Sequence, residues 1–190
     1  MNNTLRNFFG TLSDTDFDTL RLRFTQIDCN KGEHLLEFGS ICDHIFYLKK
    51  GKLRNYTMHA DGTYYTTDFI MRHGFCTNIH SFLHREVSEE AIIADDDTTL
   101  LSLSYSDYAS LIAENIHIKA AIHEMSMHNV IQRMYEKNAL LRLDAKGKYL
   151  YLLATRPQII AHFQLQDIAS FLNIKPQSLS RIRKETANVS

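Results

Sequence analysis

The stretch that decides the fold is Leu165-Gln-Asp-Ile-Ala-Ser-Phe-Leu-Asn-Ile-Lys-Pro-Gln-Ser-Leu-Ser-Arg-Ile-Arg-Lys184. Apolar residues share one face of each half, and small Ala169 lies where two helix axes would approach most closely. Asn173 falls in the turn between the halves, and asparagine tolerates a left-handed backbone. Pro176 suits the first turn of the second helix, where a missing N–H has no cost. The stretch therefore predicts a helix-turn-helix.

The exposed side of the second predicted helix carries polar and basic residues that can bond base edges or phosphates. These candidate DNA-binding residues are Gln177, Ser178, Arg181, Arg183 and Lys184. Residues 142–190 hold eight Lys and Arg and three Asp and Glu. Residues 1–141 hold the other 13 basic and 19 acidic residues. A near-neutral chain that keeps its positive charge at this end fits phosphate binding there, although the same pattern occurs in ordinary amphipathic helix pairs.

The composition bounds the class of protein. A hydrophobic content of 44% with 23% charged residues is typical of a globular chain. Residues 1–6 lack the apolar run of a signal peptide, and no segment approaches roughly 18 uninterrupted apolar residues, so we expect neither a signal peptide nor a membrane span. Cys29, Cys42 and Cys76 are odd in number and widely spaced, which predicts a cytoplasmic protein without a disulfide framework. No nucleophile elbow, phosphate-cradling glycine loop or His-Glu-x-x-His motif occurs, so we expect no enzyme.

Along the rest of the chain the predicted secondary structure changes from helix to strands and back to helix. Residues 13–26 open with a serine cap and acids in the first turn, which predicts a helix. Residues 27–105 carry short apolar runs separated by glycine-containing turns, which is typical of an antiparallel barrel or sandwich. Residues 146–153 predict another helix, which ends at Arg156-Pro157.

A long helix follows the strands. Apolar residues recur at alternating spacings of four and three, as the seam of a coiled coil requires. The predicted dimer seam is Ile116, Ala120, His123, Met127, Val130 and Met134. A helix of roughly 28 residues would be about 42 Å long, more than a small barrel can cover, which favours a second subunit as its partner. The alternative is a helix that packs on its own domain only.

This order of elements resembles the Crp/Fnr superfamily of bacterial transcription regulators. Residues 31–39 and 43–54 are similar to the opening strands of a cyclic-nucleotide-binding β-roll, with glycines at its corners. Residues 168–174 and 179–184 are similar to the two DNA-binding helices. The resemblance implies an α+β fold: an antiparallel β-roll sensor domain (1–110), a dimerisation helix (111–141) and a helix-turn-helix domain (142–190). It also implies that Arg181 reads a guanine and that Arg183 and Lys184 touch the DNA backbone.

The effector pocket departs from the family pattern. Cyclic-nucleotide binders hold the phosphate with a glycine-containing helix start and an arginine, since a bare anion does not leave water. The corresponding residues here are Gly74, Phe75, Asn78, Ser88 and Glu89. Ser88 stands at the position of the arginine, beside Glu89 and Glu90, with Arg72 and Arg85 as the nearby replacements. We therefore expect a degenerate pocket, no tight binding of cyclic AMP and no resident cofactor.

A metal or redox site is the main alternative chemistry. Cys76, His80 and His84 recur every four residues and would line one helical face, with His73 nearby. The ordinary interpretation is a helix with a buried cysteine and polar histidines, and we expect no metal.

The sequence thus predicts a homodimeric regulator whose partners are double-stranded DNA and a second copy of the chain. RNA polymerase is a further candidate partner, and we expect no membrane. The rival hypothesis is a ligand, metal or redox sensor whose helix-turn-helix binds proteins instead of DNA.

Overall fold

Short helices precede the first strand in the computed structural model, which describes residues 3–59, 61–71 and 73–187. They are α1 (Asn3–Arg6), a 3-10 turn (Asn7–Phe9) and α2 (Asp14–Arg21). Ser13 caps α2, because its Oγ accepts the N–H of Asp16 at 3.1 Å. The prediction of a helix over 13–26 is wrong beyond Arg21. Residues 25–29 instead form an edge strand, because pairing with a distant strand outweighs the local helical signal.

The described residues form eight strands in two antiparallel four-stranded sheets, which confirms the predicted β-roll. The strands are β1 (Thr25–Cys29), β2 (His34–Leu36), β3 (His44–Lys50), β4 (Lys52–Met58), β5 (Tyr64–Met71), β6 (Phe75–Cys76), β7 (Glu90–Ala94) and β8 (Thr98–Ser104). One sheet has the order β1-β8-β3-β6 and the other β2-β7-β4-β5. Leu48, Leu53 and Leu100 are fully buried in the core of this roll.

Glycines turn the corners of the roll, as the sequence predicts. Gly32, Gly39 and Gly51 have φ of 90°, 75° and 92°, a region that side chains rarely adopt. Gly51 also lies against the β7–β8 turn: a Cβ there would meet the carbonyl oxygen of Asp97 at 2.8 Å. The β3–β4 turn is therefore fixed to its neighbour by a close backbone approach.

In the part of the chain that the structure describes, seven helices follow or interrupt the strands. They are α3 (Ile79–His84), α4 (Tyr105–Glu114), α5 (Ile116–Leu141), α6 (Ala145–Thr155), α7 (Pro157–His162), α8 (Leu165–Phe171) and α9 (Pro176–Ala187). The predicted long helix is α5, whose 26 residues span about 39 Å. The sequence missed α7, because Pro157 ends one helix and also begins the next, where proline is favoured.

The C-terminal helices have a core of their own, which we call the head (residues 142–187). Ile159, Ile168, Leu172, Leu179 and Ile182 are buried in it. Phe69 of β5 belongs to this second core, where its ring lies 4.4 Å from the ring of Phe163. The predicted bounds of three domains stay a prediction. Among the described residues, no helix is long and apolar enough to cross a membrane.

Candidate nucleic-acid interface and effector pocket

The helix-turn-helix consists of α8 and α9. Asn173 adopts the left-handed conformation between them, with φ of 51°. The N–H of Ile174 donates to the carbonyl oxygen of Ala169 at 2.9 Å, which closes the turn. Ala169 is fully buried at the crossing, and Lys148 Nζ of α6 donates to the carbonyl oxygen of Leu172 at 2.9 Å. The second helix is thus held at both its apolar face and its turn.

The exposed face of α9 carries three of the five predicted DNA-binding residues. Gln177, Arg181 and Lys184 lie one and two turns apart, so they form a single exposed stripe with half-buried Ser178 beside it. Arg181 has 77% of its side chain exposed, and its only ion pair among the described residues is a 3.8 Å contact with Glu185. Arg183 is half-buried on the flank of the helix, away from the stripe. The stripe offers guanidinium, amide and ammonium donors to an approaching nucleic acid.

The predicted dimer seam lies on the face of α5 opposite its own domain. Ile118, Ala121, Ile122 and Leu140 are buried against the protomer. The six seam residues are all exposed: Ile116, Ala120, His123, Met127, Val130 and Met134. Successive helical residues turn by about 100°, which places the two sets roughly 180° apart. The helix therefore has one apolar face used within the protomer and a second, largely apolar face that is open.

The segment of residues 78–90, which contains α3 and which we call the cassette, forms hydrogen bonds among its own polar groups. Asn78 caps α3, since its Oδ1 accepts the N–H of Ser81 at 3.0 Å, and its Nδ2 donates to Glu90 Oε2 at 3.1 Å. Ser88 is buried, and its Oγ donates to the carbonyl oxygen of Glu90 at 2.7 Å. Glu89 is exposed. None of these groups offers a positive charge to a phosphate.

The cassette carboxylate that contacts Asn78 is that of Glu90, whereas the sequence predicted Glu89. Side chains two residues apart on a strand point to the same face. Glu90 therefore shares a face of β7 with buried Ile92 and Ala94, which is the inner face. Residues 91–94 are apolar on both faces of the strand, so no period of two in the sequence distinguishes Glu90 from Glu89.

Of the two replacement arginines, Arg85 does not fill the place of Ser88. Arg85 forms an ion pair with Asp43, donates to the carbonyl oxygen of Cys42 at 2.9 Å and lies over the ring of Tyr105 at 4.3 Å. The Arg85 guanidinium is thereby engaged by Asp43, Cys42 and Tyr105. Arg72 lies outside the described residues.

Gly74 and Phe75 lie apart from Asn78, Ser88 and Glu89, at a cavity of about 440 Å³ between β5, α5 and α6. Gly74 packs closely on β5, where a Cβ would meet Ile70 at 2.8 Å. The ring of Phe75 contacts the rings of Phe8 and Tyr47 at 5.1 Å each. The five predicted pocket residues are therefore split between the cassette and this cavity.

Two arginines and two carboxylates lie at this cavity and join three elements. Arg133 of α5 and Arg156, after α6, both pair with Asp68 of β5, the second at 3.2 Å. Arg156 also pairs with Glu136 at 3.1 Å and donates to the carbonyl oxygen of Phe69. The Asp68 side chain is 9% exposed, so its charge depends on these partners. We call these four residues the Asp68 cluster; sequence reasoning missed it, because its members are far apart in the chain.

The proposed helical face of Cys76, His80 and His84 does not exist, because Cys76 lies in β6 and α3 begins only at Ile79. Cys76 is buried, its Sγ donates to Asn55 Oδ1 at 3.1 Å, and burial raises the pKa of its thiol. His80 is exposed and lies 3.1 Å from Glu86. No group of three His, Cys, Asp or Glu side chains suited to a metal ion occurs within residues 3–59, 61–71 and 73–187.

Comparisons with known proteins agree with this architecture. Residues 26–115 match the sequence family of the cyclic nucleotide-binding domain. The fold is similar to FixK2 from Bradyrhizobium japonicum, with a TM-score of 0.73 and 14% identity over 87% of this chain and 85% of that one. A Crp/Fnr-family protein from Eubacterium rectale gives a TM-score of 0.72 and 16% identity over 94% and 87%.

The catabolite activator protein of Thermus thermophilus gives a TM-score of 0.60 and 18% identity over 95% of this chain and 86% of that one. No curated protein has a significantly similar sequence.

Proposed function

Because the chain has the Crp/Fnr fold and carries a cyclic-nucleotide-binding-type domain at residues 26–115, we propose that it is a DNA-binding transcription regulator of this type. The observation that carries the proposal is the exposed stripe of Gln177, Arg181 and Lys184 on the second helix of a closed helix-turn-helix. Such a helix enters the major groove and presents its side chains to base edges. Arg181 can donate two hydrogen bonds to a guanine, while Lys184 suits a phosphate.

We propose that the regulator acts as a homodimer through the open face of α5. Met127, Val130 and Met134 are between 43% and 58% exposed in the protomer. Large apolar side chains at coiled-coil spacing gain stability when a second helix covers them. Two copies joined there would present two recognition helices to successive major grooves of a pseudo-palindrome.

The proposal includes independence from cyclic AMP. Ser88 hydrogen-bonds within the cassette, Glu90 lies nearby, and Arg85 is engaged with Asp43. Glu90 forms no ion pair within the described residues, so a nucleotide phosphate would enter beside a carboxylate that no described cation neutralises, which is unfavourable at low dielectric. The effector, where one acts, differs in chemistry from a cyclic nucleotide.

The Asp68 cluster is the element through which we propose that the sensor and the head communicate. It connects β5, α5 and the segment before α7 through Arg133 and Arg156. A ligand that competes for either arginine would change how α5 and the head are held against the roll. Such a change amounts to a population shift between two arrangements of the DNA-binding heads.

The experiment that tests the function selects binding sites from random double-stranded DNA, with and without cyclic AMP. We expect a two-fold symmetric site to be enriched equally in both conditions. Arg181→Ala should then weaken binding to the selected site by roughly 1–3 kcal/mol, whereas Arg142→Ala, outside the helix-turn-helix, should not. Enrichment only with cyclic AMP would contradict the proposed independence, and no enrichment would favour a protein-interaction role for the helix-turn-helix. RNA polymerase remains a candidate partner of the DNA-bound form.

A further inference from the structure

An open cleft of about 520 Å³ lies where the β3–β4 turn meets the C-terminal end of α7. Its charged lining consists of three lysines, one carboxylate and one histidine: Lys49, Lys50, Lys52, Asp96 and His162. Three ammonium groups and one carboxylate leave a net charge of +2 before any protonation of His162. We call this surface the lysine cleft, and its charge indicates an anionic partner.

Two of the three lysines, Lys49 and Lys52, are held in place without being neutralised. Lys52 Nζ donates to the carbonyl oxygen of His162 at 2.6 Å and lies 5.3 Å from the centre of the Phe163 ring. Lys49 Nζ donates to the neutral amide oxygen of Gln26 at 2.7 Å. Within the described part of the chain, none of the three lysines forms an ion pair with a carboxylate. Their charges therefore remain available to a ligand.

The turn that carries these lysines is rigid. Gly51 adopts a φ of 92°, and its backbone lies so close to Asp97 and Thr98 that a Cβ would clash. Lys50 is exposed at this turn, next to the fixed Lys52. A fixed cluster of positive charges loses less conformational freedom on binding than lysines on a mobile tail.

The position of the cleft identifies the partner. His162 is the last residue of α7, two residues before Gln164, which precedes α8. In a helix-turn-helix complex the first helix crosses the DNA backbone while the second lies in the major groove. The bond from Lys52 to His162 thus places the cleft next to the segment that leads into the backbone-crossing helix.

We propose that the lysine cleft binds phosphates of the DNA that flanks the site read by α9. This inference rests on the proposed DNA-binding function and extends it from the head to the β-roll. The β-roll would then contribute sequence-independent affinity, which is typical of lysine contacts to phosphates.

The test compares two duplexes that contain the site obtained by selection. The short duplex ends at the edges of that site, and the long one adds about ten base pairs of arbitrary sequence on each side, roughly one helical turn. The variant Lys49→Gln/Lys50→Gln removes two charges and keeps the structural Lys52. The variant Lys31→Gln/Lys119→Gln removes two exposed lysines outside the cleft and is the matched control.

We expect the unmodified protein to bind the long duplex more tightly, and K49Q/K50Q to lose that advantage while it binds the short duplex normally. The slope of log K against log salt should fall by about 0.9 for each lost phosphate contact, on the long duplex only. Equal losses on both duplexes, or equal losses in the control, would overturn the inference.

Two further outcomes separate the remaining explanations. If duplex length has no effect but the unmodified protein binds inorganic phosphate and K49Q/K50Q does not, the cleft is a small-anion site and the inference is overturned. Failure of the unmodified protein to bind either duplex would overturn the proposed function as well. If the protein binds both duplexes equally and still requires Arg181, the proposed contact with flanking DNA is overturned and the proposed function is not.

Discussion

At the scale of single residues, the Asp68 carboxylate is a buried charge that depends on two cationic partners. Two guanidinium groups surround it, those of Arg133 and Arg156, and water reaches little of it. A buried charge of this kind stabilises the fold only while its partners are present, because the ionised group has lost its hydration. The surrounding structure therefore depends on the complete cluster.

The substitution Asp68→Asn keeps the shape of the side chain and removes its charge. We expect it to lower the free energy of unfolding by about 1–3 kcal/mol, since Arg133 and Arg156 lose a charge-assisted partner. Urea unfolding followed by circular dichroism measures the change. The matched control is Asp43→Asn, where a carboxylate with 59% exposure pairs with Arg85 and a loss below about 1 kcal/mol is expected. Equal losses in the two variants would contradict the role of burial.

Asp167 of α8 gives a pH dependence at the contact between the head and the roll. Burial raises its pKa above the ordinary 3.8, Arg54 at 3.4 Å opposes that rise, and Asp95 adds to it. A carboxyl group with a raised pKa in the folded protein holds its proton more tightly there than in the unfolded chain. Its contribution to the free energy of unfolding therefore falls as pH rises from 3.8 through the raised pKa, and is constant above it.

The variant Asp167→Asn should lack this fall. We subtract the unfolding free energy of the variant from that of the unmodified protein. This difference should be larger at the acid end of that window than at neutral pH. Urea titrations at a series of pH values measure it. A difference that does not change with pH would show that the pKa of Asp167 is not raised.

At the scale of elements, α5 combines two apolar faces on opposite sides of one helix. One face is buried in the protomer through Ile118 and Ile122, and the other is open through Val130 and its neighbours. A helix with apolar residues on two opposite faces is expected when both faces are covered in the working state. Within the described residues only the face with Ile118 and Ile122 is covered. We expect another subunit to cover the face with Val130.

The substitution Val130→Glu places a carboxylate in each half of the proposed seam. We expect the dissociation constant of the dimer to rise at least tenfold, because two like charges would lose water and face each other, and tenfold corresponds to about 1.4 kcal/mol. Sedimentation equilibrium measures the change. His128→Glu is the control, since this exposed neighbour lies on the outer side of a helix pair joined through the seam. A variant that remains as dimeric as this control would argue against the seam.

At the scale of the whole molecule, Phe69 joins the roll to the head. It belongs to β5, yet it is 1% exposed in the head core, against the rings of Phe163 and Phe171. The N–H of Thr66, on the same strand, donates to Ser170 Oγ of α8 at 3.0 Å. The first helix of the helix-turn-helix is therefore packed directly on the edge strand of the sensor.

The substitution Phe69→Ala should separate the head from the roll. We expect a loss of about 3–5 kcal/mol from the removed aromatic ring, with faster amide hydrogen exchange in residues 157–187 than in the strands of the roll. Phe82→Ala removes an equally buried ring that lies only in the roll core, and it should speed exchange in the strands instead. Hydrogen-exchange mass spectrometry measures both variants, and identical exchange patterns would contradict the linking role of Phe69.

The sequence by itself determined the order of the β-roll, the long helix and the helix-turn-helix, because local signals specify them. Asn173 and Pro176 mark the turn and the start of α9, Gly32, Gly39 and Gly51 mark the corners of the roll, and the spacing of apolar residues marks α5. These signals act over a few residues, through backbone sterics and helical or strand periodicity. The exposure of Gln177, Arg181 and Lys184 on α9 also follows from helical periodicity. That the position of the phosphate-binding arginine falls at or near Ser88 stays a prediction from the resemblance.

Only the tertiary structure decided which distant residues meet. The Asp68 cluster joins residues 68, 133, 136 and 156, and the lysine cleft joins the β3–β4 turn to His162. Strand β1 replaced the end of a predicted helix through pairing with β8, and Glu90, in place of Glu89, reached the inner face of β7. Contacts of this kind depend on packing between elements that are far apart in the chain, and no local periodicity encodes their partners.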